Sequence, residues 1–298
     1  MRSSPWIEAA RPRTLPAAVS PVLVGTAAAD HFVAWRMVAA LVVALAVQVA
    51  VNFANDYFDG VSGIDTPERR GPRRAVAAGL VAPEAMRRAM VVALGVAAAA
   101  GLALAAAVGW ELVLVGALCF VAALGYSGGP RPYASAALGE VSVFVFFGLV
   151  ATVGSAYVHD EHLRALPFVA AIPVGLLSVA LLLVNNLRDI PTDARTGKRT
   201  LAVRLGARRT FDLFMATVNC AILCTALVAF VAYSVWPALA FAALPFALMA
   251  QNRTAAGVHT DDPALLVGAL GSTGRLQLVY GLLLSAGLAI AAVAPGTF

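Results

Sequence analysis

The chain is an all-α, polytopic membrane protein, and three observations predict it. Of its 298 residues, 61% are hydrophobic and only 12% charged, with a mean hydropathy of +0.84. A soluble domain carries roughly 25% charge and about 45–50% apolar residues, so this chain lacks the polar groups to cover a globule in water. The apolar residues run continuously in Ala, Leu and Val, without the alternation over about ten residues that marks a membrane β-barrel. Such hydrophobicity also excludes intrinsic disorder, and it makes a lipid bilayer, not nucleic acid, the partner of this surface.

Nine runs are long enough to be spans: residues 15–32, 37–57, 85–108, 111–127, 138–157, 165–187, 209–232, 236–250 and 276–294. The first is entered from an arm carrying Trp6, Arg11 and Arg13, and it contains Pro16 and Pro21. It reads as an uncleaved, proline-kinked helix and not a signal peptide, because the run comes late and a second span follows at once. The fourth and eighth are short and predict tilt or partial re-entry. Connections at 30–36, 109–110, 158–164 and 233–235 are short; those at 58–84, 128–137, 188–208 and 251–275 are long and polar. The side of the N-terminal arm and the long connections, counting the span ends that adjoin them, holds 19 of the 21 Lys and Arg residues. The positive-inside rule therefore puts them in the cytoplasm of a multi-pass protein of the inner (plasma) membrane. No separate soluble domain or low-complexity tail is apparent, so 1–298 reads as one domain. Cys119, Cys220 and Cys224 lie in apolar runs and predict neither a disulfide framework nor a metal site.

Two of the long connections begin with unusual residues. The second span ends Asn52-Phe-Ala-Asn55-Asp56-Tyr57-Phe58-Asp59, followed by Asp65; the sixth ends Asn185-Asn186-Leu-Arg188-Asp189-Ile-Pro-Thr-Asp193. If the helices continue, Asp56 with Asp59 and Asp189 with Asp193 each share one helical face. Like charges at that spacing repel, and carboxylates at a helix C-terminus oppose its dipole. Something positive must offset both penalties, and membrane-embedded polar groups are costly enough to be functional as a rule. Hard carboxylate and amide oxygens without clustered His or Cys suit Mg²⁺, which is held by one or two carboxylates plus substrate phosphates. Arg69, Arg70, Arg73 and Arg74 follow the first cluster; Arg195, Lys198, Arg199 and Arg204 follow the second. Lys198 is the chain's single lysine, a compact point charge where the other bases are guanidinium forks. Membrane walls, Mg²⁺ and a cationic rim fit a lipid-linked diphosphate that departs from an allylic carbon. Tyr57, Phe58, Tyr126, Phe144, Phe146 and Phe147 are candidates for lining the cation's path.

These motifs resemble those of the UbiA-type intramembrane aromatic prenyltransferases, and the stretches 126–133 and 138–148, which read Tyr126-Ser-Gly-Gly-Pro-Arg131-Pro-Tyr133 and Leu138-Gly139-Glu140 through Phe146-Phe147-Gly148, resemble the branch that uses 1,4-dihydroxy-2-naphthoate. The likeness covers roughly residues 11–206, including Arg11-Pro-Arg-Thr14 and Gly71-Pro-Arg-Arg74. One departure is that Asp59 follows Asp56 by three positions, where the superfamily's usual spacing is four. The resemblance implies nine transmembrane helices ringed around a central cavity, capped by cytoplasmic loops and open laterally to lipid. It implies Mg²⁺-dependent transfer of an all-trans polyprenyl group from its diphosphate to 1,4-dihydroxy-2-naphthoate, with loss of CO₂ and diphosphate, giving demethylmenaquinone. Asp56, Asp59, Asp65, Asp189 and Asp193 would hold Mg²⁺, while Arg74, Arg199 and the catalytic Lys198 would meet the diphosphate oxygens. Asn52, Asn55, Asn185 and Asn186 would support the metal or orient the carboxylates, and Tyr126 and Arg131 would hold the acceptor. Prenylation of another acceptor such as 4-hydroxybenzoate is the alternative within the class. A transporter is the alternative outside it, and would carry inverted repeats and mid-membrane charge.

Overall fold

The computed structural model describes residues 4–63, 73–129 and 132–294, and their regular structure is entirely helical. A short helix α1 (Pro5–Ala10) leads through a turn into α2 (Pro16–Ala27), α3 (Ala34–Val61), α4 (Pro83–Val108) and α5 (Glu111–Ser127). Then come α6 (Gly139–Asp160), α7 (Ala165–Arg195) and α8 (Leu201–Val231). A 3₁₀ stretch, Trp236–Ala243, runs into α9 (Leu244–Thr260), and α10 (Pro263–Val293) closes the chain. Helical segments thus overlap the predicted apolar runs, in order. Among the described residues six of these, α3, α4, α6, α7, α8 and α10, are long and apolar enough to cross a membrane; α2 and α5 are shorter apolar helices.

Two of the long polar connections, 188–208 and 251–275, are largely helical, which alters the predicted caps. At about 1.5 Å per residue a bilayer core needs about 20 residues, so the 28 residues of α3 and the 31 of α7 leave two or three turns of each beyond it. Those turns carry the acids. The last turns of α7 continue through Pro191, and α8 starts at Leu201 with Thr200 as its cap, the hydroxyl accepting from the Val203 N–H at 3.3 Å. Gly206, at φ 77° and ψ 168°, then kinks α8, a conformation open chiefly to glycine. The predicted 251–275 loop is instead the tight α9–α10 connection, with Asp261 left-handed (φ 50°) and Asp262 capping the Ala264 N–H at 2.8 Å.

Packing places α7 in the interior and α4 at the edge: 67% of the apolar window of α7 is buried against 17% for α4. Buried polar pairs tie the interior helices together. Tyr280 bonds Thr225 at 2.8 Å, Gln277 donates to Ser178 at 2.7 Å, and Ser20 donates to the Gln277 carbonyl at 2.9 Å. Such interhelical bonds contribute about 0.6 kcal/mol each in a membrane. Close helix approach needs small residues, and a Cβ on Gly148 would lie 2.6 Å from the Gly175 Cα, so α6 and α7 meet nearly backbone to backbone there. The segment Phe144–Val150 of α6 winds as a π-helix. Phe144 packs against Gly175, whereas Phe146 and Phe147 face a cavity.

Candidate active site

Residues 52, 55, 56 and 59 recur at the spacing of one helical face, as do 185, 186, 189, 192 and 193. Both faces turn inward: Asn52, Asn55, Asp56 and Asp59 on α3 and Asn186, Asp189, Thr192 and Asp193 on α7 are all buried. The two faces meet at one pocket of about 40 Å³, lined by Asp59, Asp189, Asp193, Asn55, Asn185 and Asn186 together with Arg11, Arg74, Lys198, Tyr126, Thr192 and Thr200. Lys198, after α7, reaches Asp59 on α3 at 3.5 Å, and Arg74 approaches the same oxygen at 3.8 Å. Asp189 is bound by both Nε and Nη2 of Arg188, at 2.8 and 2.7 Å, and the same guanidinium donates to the Asn185 amide oxygen at 3.0 Å.

Beside this pocket lies an apolar cavity of about 500 Å³, lined by α2 to α7, with Cys119, Phe146 and Phe147 on its wall. Arg11, Asn55, Tyr126 and Asn185 line both spaces and so mark their junction. Arg11 is held at φ 51° between α1 and the next turn. Asn52 supports that arm, donating to the Ala10 carbonyl at 2.9 Å. Tyr126 stacks edge-on against Tyr133, with centroids 5.5 Å apart. Tyr133 donates to the Ala122 carbonyl at 2.6 Å, and burial raises its pKa, which keeps that donor protonated. Asn55 accepts from the Ser127 hydroxyl, and Asn186 donates to Glu140 at 3.0 Å. Glu140 takes one amide N–H, which leaves the Asn186 oxygen and its second N–H for other partners.

Of the residues predicted from sequence, Asp65 and Arg131 lie outside the described residues, as do Arg69 and Arg70. Arg199 is exposed and lines neither space. Asp56 does not line the pocket either; both its oxygens accept backbone N–H groups, of Ala75 at 3.0 Å and Val76 at 2.9 Å. Tyr57 and Phe58 pack beside Phe53 and Val76 and lie outside the cavity wall. Arg11, Arg188, Glu140 and Thr192 were not singled out as site residues. All four stand within the motifs quoted above, but only as neighbours of the residues assigned a role.

The donor set fits a divalent cation carrying phosphate oxygens. Among the described residues no three His, Cys, Asp or Glu side chains form a metal cluster by themselves, but Mg²⁺ typically needs one or two carboxylates once a substrate supplies the rest. The buried Thr192 hydroxyl, on the pocket wall, has no hydrogen-bond partner among the described residues, and a buried polar group of that kind calls for one.

An apolar chamber joined to a pocket of carboxylates, amides and cations defines an intramembrane enzyme for a substrate with a greasy body and a polyanionic head. The chain belongs to the UbiA prenyltransferase family, whose sequence pattern matches residues 18–267. It is 40% identical over 287 residues to the 1,4-dihydroxy-2-naphthoate octaprenyltransferase of Mycobacterium tuberculosis, covering 95% of this chain and 96% of that one. With the enzyme of the same name from Escherichia coli the identity is 35% over 297 residues, covering 96% of each. The fold is similar to that of a UbiA homolog from Archaeoglobus fulgidus solved with GPP and Mg²⁺, at TM-score 0.63 and 14% identity, covering 95% of this chain and all of the other. It is also similar to the apo UbiA homolog of Aeropyrum pernix, at TM-score 0.62 and 17% identity, covering 93% and 96%.

Proposed function

We propose that the chain transfers a polyprenyl group from an all-trans polyprenyl diphosphate to 1,4-dihydroxy-2-naphthoate, releasing diphosphate and CO₂ and building the demethylmenaquinone skeleton. The observation that carries this reading is the convergence of Asp59 with Asp189 and Asp193 from two separate helices on one pocket, directly beside the apolar cavity. The identity to the naphthoate enzymes over nearly the full chain supports the acceptor. In this reading residues 1–298 are one transmembrane domain, nine helices ring a central cavity, and the polar pocket faces the cytoplasm of the inner (plasma) membrane.

Asp59, Asp65, Asp189 and Asp193 hold Mg²⁺, with the Asn55, Asn185 and Asn186 amides in support. When bound, the cation supplies charge neutralisation to the departing diphosphate. Arg74 and Lys198 hold the diphosphate's free oxygens, with Arg199 at the rim. For Lys198 this means exchanging its Asp59 partner, at 3.5 Å, for the incoming anion. Tyr126, Phe146 and Phe147 line the cavity, where aromatic rings stabilise an allylic cation and water is excluded. Arg11 and Tyr126, at the junction, together with Arg131, orient the aromatic acceptor so that its ring carbon faces the prenyl C1.

The test is incubation of the purified protein in lipid with a polyprenyl diphosphate, Mg²⁺ and either radiolabelled 1,4-dihydroxy-2-naphthoate or 4-hydroxybenzoate. Label from the naphthoate should enter the organic phase. Label entering only from 4-hydroxybenzoate would move the enzyme to another branch, and none from either would refute the assignment.

A further inference from the structure

Asp56 sits in the first acidic cluster, yet its surroundings differ from those of Asp59. It is 1% exposed, and its two oxygens receive the N–H groups of two consecutive residues, Ala75 at 3.0 Å and Val76 at 2.9 Å. Those residues open a tight turn. The Arg74 carbonyl accepts from Ala78 at 2.9 Å, and the Ala75 carbonyl accepts from Leu80 at 2.9 Å and Val81 at 3.1 Å. The residue just before the clamped pair is Arg74, buried and 3.8 Å from Asp59. On the other side of the turn Gly60 leaves room for Val76; a Cβ there would lie 2.7 Å from Val76 Cγ1. An anion accepting two adjacent backbone N–H groups is a charge-assisted, two-point grip, and it fixes the backbone from which Arg74 projects.

We infer that Asp56 is a positioning residue that clamps the turn after α3 so that Arg74 points into the polar pocket, and that it is not a metal ligand. The inference rests on the proposed function only for what Arg74 holds, namely the diphosphate of the prenyl donor; the clamp itself is a matter of geometry. Asn is isosteric with Asp but offers one acceptor and one donor, so Asp56→Asn sets an N–H against an N–H. The clamp and the metal-ligand role then separate in three measurements.

In Asp56→Asn, hydrogen exchange of the peptide spanning 73–81 should quicken about tenfold, the loss of one buried bond. Binding of Mn²⁺, followed by electron paramagnetic resonance, should stay as in the unaltered protein, whereas Asp59→Asn weakens it. The KM for polyprenyl diphosphate should rise about tenfold, with the KM for the aromatic acceptor and kcat within about twofold. Gly60→Ala presses on the same turn without touching the carboxylate, so it should reproduce the faster exchange and raised KM with Mn²⁺ binding unchanged. It serves equally if Asp56→Asn does not fold. Unchanged exchange at 73–81 in both variants, or Mn²⁺ binding lost in Asp56→Asn as in Asp59→Asn, would overturn the inference. If no prenyl transfer is found at all, the proposed function fails while the exchange measurement still decides the clamp.

Discussion

The two ends of α6 carry similar residue types put to opposite uses. At the Asp160 end the carboxylate accepts the backbone N–H groups of Asp30 at 2.9 Å and His31 at 3.0 Å, and Arg164 joins Asp160 to Asp30 at 3.3 and 2.7 Å. Nearby, Arg36 pairs with Glu161 at 2.7 Å and His159 accepts the Val33 N–H at 3.2 Å. These bonds fasten the α2–α3 and α6–α7 connections to each other. At the Glu140 end Lys198 and Arg74 stand 3.5 and 3.8 Å from Asp59, and the Thr192 hydroxyl has no partner among the described residues. The fold saturates one carboxylate with its own backbone and leaves the other in loose ion pairs beside a cavity. That contrast, more than charge or burial, separates a structural clasp from a place prepared for a ligand. By the same measure Asp56 belongs with Asp160, although it lies within a few residues of Asp59.

The comparison can be broken at either end. The largest effect is expected from Asp59→Ala or Asp189→Ala, which should lower prenyl transfer at least about 100-fold by removing charge from the leaving-group site. Membrane insertion should be retained, and a variant with near-normal turnover would place Asp59 or Asp189 with the clasp. A smaller effect is expected from Asp160→Ala, which orphans two backbone N–H groups and leaves Arg164 without one of its two carboxylate partners. It should cost about 1–3 kcal/mol of stability, read as a lower Tm, with kcat within about twofold. A large loss of kcat at unchanged Tm would mean that the far end also takes part in turnover.

Much of this was legible in the sequence, for physical reasons. A bilayer demands continuous apolar runs, so the six long apolar helices announced themselves, and the spacing of Asn52, Asn55, Asp56 and Asp59 foretold one inward face if α3 continued. The ends of the helices were not legible. Hydropathy marks the part of a helix in lipid, so polar turns such as 188–195 and 251–260 read as loops although they are wound. The ring stripe was legible only in part: the π-helical segment of α6 turns Phe146 and Phe147 to the cavity and Phe144 to Gly175, a division that spacing alone does not reveal. Partners of single carboxylates were hidden as well. Nothing in residues 73–76 signals that two of their backbone N–H groups reach Asp56, because every residue but proline carries that donor. The pairing of Arg188 with Asp189 hides similarly, since a neighbour one position away on a helix ordinarily points elsewhere. The transporter alternative gave way to membership of a prenyltransferase family and to polar groups gathered at one end of α3 and α7.

The central claim is that the acidic turns of α3 and α7 serve one metal-bound diphosphate. Its most direct test is equilibrium binding of an unreactive polyprenyl thiolodiphosphate to the purified protein, with Mg²⁺ and after chelation, in the unaltered chain and in Asp59→Asn and Asp189→Asn. The account predicts binding that requires Mg²⁺, returns when Mg²⁺ is restored, and is weakened at least about tenfold by either substitution. Binding indifferent to chelation, or lost in one variant and untouched in the other, would contradict it.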